Sequence, residues 1–400
     1  MSSTVDSPQP PAASPSNNGR RTLSACCGVH ALHDGYTDLL NVLYPLLQAQ
    51  FGLSYATVGI LKLLYSSAMA SGQVPSALLA ERIGGARVLA LGTALAALGY
   101  VVAGLSGGLM GVAIGLVLAG FGGATQHPIA SSLIASAFTG ARSRTALGTY
   151  NFAGDIGKMA LPIAFATLAA ATSWREGLFA VAALGIASAL LIPLLLPATS
   201  AERMTASKAA ASRAAAGSDN RGAFRLLLAI HVTDSLTRSG LVLFLPFLMR
   251  DKGADLPTIG LALSLLFAGG AFGKLVCGWL GEKLGVVRTV FLTEFLTAAL
   301  IIALLPLPLV PALALLPLVG VALNGTSSVL YGTVPEFVTP ERRARAFGIF
   351  YTGGSVAGAL GPPAFGLCGD IAGLSVTMIM VAAAALLTLP LTWALRPALR

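Results

Sequence analysis

Four stretches of this chain carry no charged side chain. Asp, Glu, Lys and Arg are all missing from Val88 to Ala141, from Gly177 to Ala201, from Phe295 to Pro335 and from Ile371 to Leu395. A bilayer-spanning helix needs about 20 consecutive apolar residues, so the two longer stretches have room for two spans each. Turn-forming clusters, GLSGG at 104–108 and PLPLVP at 306–311, divide them. Charged residues are 10% of the 400, against about a quarter in a soluble domain. Mean hydropathy is +0.80. No water-soluble core absorbs this much apolar surface, so most of the chain is solvated by lipid.

Twelve helices are expected, over 23–50, 55–80, 88–105, 109–138, 145–170, 176–197, 225–250, 256–281, 288–305, 309–336, 345–369 and 372–395. Residues 1–22 are mostly Ser, Pro, Ala and Asn and predict a disordered tail. The stretch 198–224 is polar, basic and rich in Ala and Ser, and predicts a linker between bundles at 23–197 and 225–400. With both termini on the cytoplasmic side, the inner segments hold 18 of the 25 Lys and Arg and the outer loops hold three, Arg175, Arg250 and Lys252. That excess sets the orientation by the positive-inside rule. The same spread of cations over loops explains the net charge of +9 without a nucleic-acid partner. Cys26, Cys27, Cys277 and Cys368 lie in apolar segments without metal-ligand spacing, so neither a metal nor a disulfide is expected. LSAC at 23–26 follows Arg20-Arg21 directly and has no apolar region before it, so neither lipidation nor a cleaved signal is expected.

The two bundles repeat. His30 and His231, Pro45 and Pro246, and Gly59 and Gly260 stand 201 residues apart. ERIGGAR at 81–87 faces EKLGVVR at 282–288 at the same offset, as Arg142 and Arg144 face Arg343 and Arg345. Gly154 and Pro162 match Gly354 and Pro362 at an offset of 200. A parallel six-plus-six repeat predicts two bundles related by an axis along the membrane normal, with a binding site between them near the midplane.

The loop pattern, acidic, basic, any residue, glycine, then a base three further on, resembles the inner-loop signature of the major facilitator superfamily. It implies an all-α integral membrane fold of two pseudo-symmetric six-helix bundles. It also implies inner-loop gating by Glu81, Arg82, Arg87, Glu282, Lys283 and Arg288. Within that superfamily, residues 28 to 170 resemble the fosmidomycin-resistance group. The carrying residues are His30-x-x-x-Asp34, Tyr44-Pro45-Leu46-Leu47, Gln73, His127-Pro128, Gly154, Gly157 and Pro162. The resemblance implies a secondary transporter of a bacterial inner membrane, most often a proton-driven exporter.

Ionisable groups at bilayer depth cost several kcal/mol unless they face a cavity or a partner. His30, Asp34 and Asp38 are spaced four apart and share one helix face, with Thr37 and Asn41 beside them. That stripe predicts a water-filled cavity. Asp34 and Asp155 are the expected proton-coupling carboxylates. Asp155 with Lys158, and Asp234 with Arg238, are spaced either to close internal ion pairs or to open them for substrate. Lys62 and Glu294 stand alone in their spans, His127-Pro128 joins a titratable ring to a helix kink, and Asn324 lies in the corresponding part of the tenth span. His30, Asp38, Lys62, His127, Lys158, Asp234, Arg238, Glu294 and Asn324 are therefore the expected cavity residues. Lys274 is expected to snorkel to the membrane edge. Lys62, Lys158 and Arg238 give the cavity a cationic character suited to an anionic substrate such as a phosphonate or carboxylate.

No nucleophile–base motif or H-E-x-x-H spacing appears, which places an integral membrane enzyme behind a carrier. The sequence thus predicts a monomeric secondary transporter without a cofactor, whose partners are protons, lipid and a small anionic or drug-like compound. Export by proton antiport is the first expectation, and a proton-coupled or exchange importer of an organic anion is the second.

Overall fold

The computed structural model describes residues 17–138, 140–196, 220–339 and 342–399. Thirteen α-helices make up these residues. In the first half they are α1 (Asn17–Phe51), α2 (Tyr55–Ile83), α3 (Gly85–Leu105), α4 (Leu109–Gly123), α5 (Gln126–Ala137), α6 (Gly140–Ala171) and α7 (Trp174–Leu195). In the second they are α8 (Arg221–Asp251), α9 (Leu256–Leu284), α10 (Val286–Leu304), α11 (Leu309–Thr333), α12 (Arg343–Ala372) and α13 (Leu374–Leu395). Among the described residues, nine segments are each long and apolar enough to cross a membrane. The other three spans, α1, α2 and α12, hold the polar stripe, Lys62 and the glycine-rich run, and they pack against α6, α12 and α8 respectively. The protein is a multi-pass membrane protein of twelve spans.

The expected fourth span is two helices. α4 ends at Gly123 and α5 starts at Gln126, with Pro128 in the first turn of α5. Pro128 has no N–H for the carbonyl four residues back, at Ala124. The Ser76 hydroxyl reaches that carbonyl instead, at 3.4 Å. Two boundaries also move. α1 takes in residues 17–22, assigned above to the tail, and Arg21 Nη2 holds them to the Leu194 carbonyl at 3.1 Å. α8 takes in residues 221–224 of the expected linker, capped by Asn220, whose Oδ1 accepts from Ala223 N. The rest of the tail and of the linker lies outside the described residues.

The repeat is visible in local chemistry. Ser54 caps α2 through Thr57 N, and Asp255, 201 positions on, caps α9 through Thr258 N. Gly84 and Gly285 take φ of +92° and +78° at the matched turns that follow these helices, a region that only glycine enters without strain.

Packing between the halves is uneven along their length. At the end away from the termini, one apolar core unites both halves, with Leu43, Tyr100 and Leu178 beside Phe244, Leu263 and Met378. At the end that carries the termini there are two separate cores, one around Cys26, Leu89 and Ile134, the other around Leu227, Cys277 and Phe350. The halves therefore meet at the far end and part at the terminal end. The meeting follows the repeat: a side chain on Gly59 would run into the backbone of Pro362 and Pro363, and one on Gly260 into that of Pro162 and Ile163. Missing side chains at both places let backbones approach closely, the usual device where lipid supplies no hydrophobic drive. Polar ties seal the same end. Arg250 Nη2 donates to Gln48 Oε1 at 2.8 Å, and the first-turn N–H groups of Tyr55 and Ala56 donate to the Asp370 carboxylate at 2.6 and 3.0 Å.

Candidate functional site

Where the halves part, they enclose a cavity of about 480 Å³, a size that suits a small molecule. The first half lines it with Asp38, Lys62, Asp155 and Lys158, and the second with His231, Arg238, Lys274, Asn324, Tyr331 and Tyr351. Asp34, His30, Asp234 and Glu294 do not line it and stand one layer behind, buried. His127 is not among the lining residues either, and its ring is half exposed.

The first-half cluster begins with His30. Its Nδ1 lies 2.7 Å from the Tyr150 carbonyl oxygen. A carbonyl can only accept, so Nδ1 carries hydrogen. Nε2, on the other side of the ring, lies 3.2 Å from Asp34 Oδ2. For that contact to be a hydrogen bond, a second proton must sit either on Nε2 or on Asp34. The geometry thus brings a histidine ring nitrogen against a carboxylate oxygen. His127 Nε2 stands 3.7 Å from the other Asp34 oxygen, placed there by the break between α4 and α5. Gly154 makes room, since a Cβ on it would fall against both Asp34 Oδ2 and His30 Nε2.

Lys158 joins this cluster to the cavity. Its ammonium lies 3.2 Å from Asp34 Oδ2 and 3.9 Å from Asp155 Oδ1. The short sequence spacing pointed to Asp155 as its partner, and the nearer partner is Asp34. Asp155 is held instead by Lys274, whose Nζ lies 2.7 Å from both carboxylate oxygens. Lys274 does not snorkel. It crosses from α9 to α6 and ties the two halves at the cavity wall. One signal for it was present, because Lys274 stands 201 residues after Gln73. Lys62 donates to Asn41 Oδ1 at 3.0 Å, and the Asn41 amide donates to Asp38 Oδ1 at 3.2 Å, so these two charges are bridged through an amide.

The second half repeats part of this. His231 stacks on Phe350 with ring centroids 4.1 Å apart, as His30 stacks on Tyr150 at 4.0 Å. Arg238 pairs with Asp234 one turn back on α8. Glu294, on α10, is buried against Asp234 and Thr326. Of the expected gating residues, Arg82, Arg87, Glu282, Lys283 and Arg288 stand exposed at the open terminal end, and Glu81 is half-buried there.

The Asp34 cluster also has the donor set of a metal site, since ligand atoms of His30, Asp34 and His127 all lie within 4.8 Å of one another. A cation there would have to displace the Lys158 ammonium, which already supplies the positive charge.

The major facilitator superfamily model matches residues 26–233 and again 227–400. The chain belongs to that superfamily. This superfamily member is 26% identical to human Monocarboxylate transporter 11 over 391 residues, covering 92% of this chain and 81% of that one. It is 24% identical to the Fosmidomycin resistance protein of Escherichia coli (strain K12) over 384 residues, 91% of each. In fold it is similar to a bacterial homologue of the human lysosomal transporter Spinster in an inward-facing and occupied conformation, with a TM-score of 0.81 at 18% identity over 97% of this chain and 98% of that one. A nucleoside transporter matches with a TM-score of 0.75 at 14% identity, over 96% of this chain and all of that one. Like other members of the superfamily it is a transporter and not an enzyme.

Proposed function

We propose that the protein is a proton-coupled carrier of a small organic anion, working by alternating access in a bacterial inner membrane as a monomer with both termini cytoplasmic. The excess of Lys and Arg at the terminal end supports that orientation. The cavity then opens to the cytoplasm, and the exposed loops with Glu81, Arg82, Arg87, Glu282, Lys283 and Arg288 latch when that side closes.

One observation carries the coupling. Three of the four cations that line the cavity are held directly by a carboxylate: Lys158 by Asp34, Lys274 by Asp155 and Arg238 by Asp234, while Lys62 donates to Asn41, whose amide donates to Asp38. An entering anion that binds Lys158, Lys274 or Arg238 draws that cation toward itself. The carboxylate left behind is then a buried, uncompensated charge, which is expensive in a membrane interior unless it takes up a proton. Asp34 stands against both the Lys158 ammonium and the His30 ring, so it is the group placed to accept one. Anion binding and proton uptake therefore favour each other, and the two travel in the same direction. Antiport requires the opposite, with substrate expelling the proton. The ion pairs thus favour proton-coupled movement of an organic anion, the second expectation from the sequence, over export by antiport. The name of the human relative, a monocarboxylate transporter, agrees with a small organic anion.

The test uses proteoliposomes with a weakly buffered lumen and a trapped pH-sensitive dye. Lactate, pyruvate or fosmidomycin is added outside, with protein-free liposomes as the baseline. Co-movement acidifies the lumen above that baseline, and Asp34→Asn abolishes the acidification. Luminal alkalinisation would mean exchange and would restore export by antiport. Uptake of labelled anion with no pH change would remove the proton from the mechanism.

A further inference from the structure

Glu294 is used by nothing described so far. It is 2% exposed, lies behind the cavity wall, and its Oε2 has no hydrogen-bond partner among the described residues. The Asp234 and Thr326 side chains, on α8 and α11, interact with it.

The hydroxyl protons around it can be followed one by one. Thr293 Oγ1 donates to the Thr289 carbonyl at 3.0 Å. It therefore receives the hydroxyl proton of Thr326, at 2.7 Å. Thr326 is left with lone pairs alone to offer Glu294. Asp234 is turned toward Arg238 and likewise offers only lone pairs as a carboxylate. Both neighbours of Glu294 are acceptors, so a hydrogen bond to either needs a proton on Glu294.

Of the five carboxyl groups in the spans, four are engaged by a cation: Asp34 by Lys158, Asp155 by Lys274, Asp234 by Arg238, and Asp38 by Lys62 through Asn41. Glu294 is the fifth, and no cation among the described residues stands within salt-bridge distance of it. Of the other groups facing this pair, His231 and Arg238 lie on α8 and Tyr331 on α11, while α13, which packs on α8, has no Asp, Glu, Lys, Arg or His from 374 to 395. Among the described residues Arg238 is thus the sole cation in a salt bridge with either acid, through Asp234.

We propose that Asp234 and Glu294 share one proton and form a second proton site of the carrier, in the half opposite Asp34. Arg238 connects it to the substrate, because the guanidinium lines the cavity while Asp234 lies behind it. An anion that draws Arg238 away leaves the pair with no counter-charge, and the pair then takes up a second proton from the cavity water. The transport role rests on the proton-coupled reading above. The shared proton itself does not.

The measurement is infrared spectroscopy of the purified protein in lipid nanodiscs, following the C=O stretch of protonated carboxylic acid and its shift in heavy water. Wild type is expected to show the band near neutral pH and to lose it on alkalinisation. Glu294→Gln should remove it and Asp34→Asn should leave it. Arg238→Gln strands two carboxyl groups without a cation and should raise the band about twofold, which tests the pair even where Glu294→Gln folds poorly. A band that survives in Glu294→Gln but vanishes in Asp34→Asn would assign the proton to the other half and overturn the proposal. A band in wild type that ignores pH from mildly acidic to alkaline would make the proton structural and overturn the transport role, leaving the Asp34 reading intact.

Discussion

Asp370 is the most direct handle on the closed end of the carrier. It belongs to the second half, yet its two oxygens accept from the backbone N–H groups of Tyr55 and Ala56, which open α2 in the first half. The first N–H groups of a helix have no partner within the helix, so Asp370 caps across the interface, and it does so only while that end is shut. Capping of this kind is worth about 0.5–2 kcal/mol. The site is exposed to water, which replaces the lost acceptor in part, so about 1 kcal/mol is expected for Asp370→Ala. That is about a fivefold shift of population toward the state open at this end. Asp370→Asn keeps one of the two acceptors and should shift it less. Spin labels on Thr172→Cys and Ser375→Cys, one in each half at this end, would read the distance distribution in a background with Cys26, Cys27, Cys277 and Cys368 replaced. The longer-distance population should grow in the order wild type, Asn, Ala. An unchanged distribution in Asp370→Ala would show that the apolar core and Arg250 hold the end shut without the cap.

Gly59→Ala should act at the same end and in the same direction, because its methyl meets the Pro362–Pro363 backbone with no flexible side chain to yield. Overpacking of this kind costs about 1–3 kcal/mol, and transport should fall while helix content by circular dichroism stays the same. Gly154→Ala places a methyl against His30 and Asp34, so the luminal pH change should be lost before anion binding is, which isothermal titration against proton flux would separate. Lys274→Gln removes the tie from α9 to Asp155, and a second pair of spin labels, one in each half at the terminal end, should report a longer separation there. Asp255 lies outside the spans, and its hydrogen bonds with Thr258 hold its carboxyl below the ordinary carboxylate range. Its capping contribution is therefore complete above the unfolded value and fades as pH falls through the lowered one. Exchange of the Thr258 amide should accelerate only below that range, and Asp255→Asn should remove the pH dependence.

Much of this architecture is written in local sequence. A span must satisfy its own backbone and face lipid, so charge-free runs of the right length can hardly do anything else. Caps and turns are local too, which is why Ser54, Asp255, Gly84 and Gly285 fall where the repeat places them. The polar stripe of α1 was legible because four-residue spacing puts His30, Asp34 and Asp38 on one face. Partner choice was not legible. Lys158 lies three residues from Asp155 yet sits nearer Asp34, and Lys274 finds Asp155 from 119 residues away. Glu294 looked solitary because its companions, Asp234 and Thr326, arrive on two other helices. Helical periodicity says which face a charge is on, but only the crossing of helices decides which charge it meets. Which end is open is decided the same way: matched glycines and prolines in the two halves favour contact, and tertiary packing alone determines where the cavity is left.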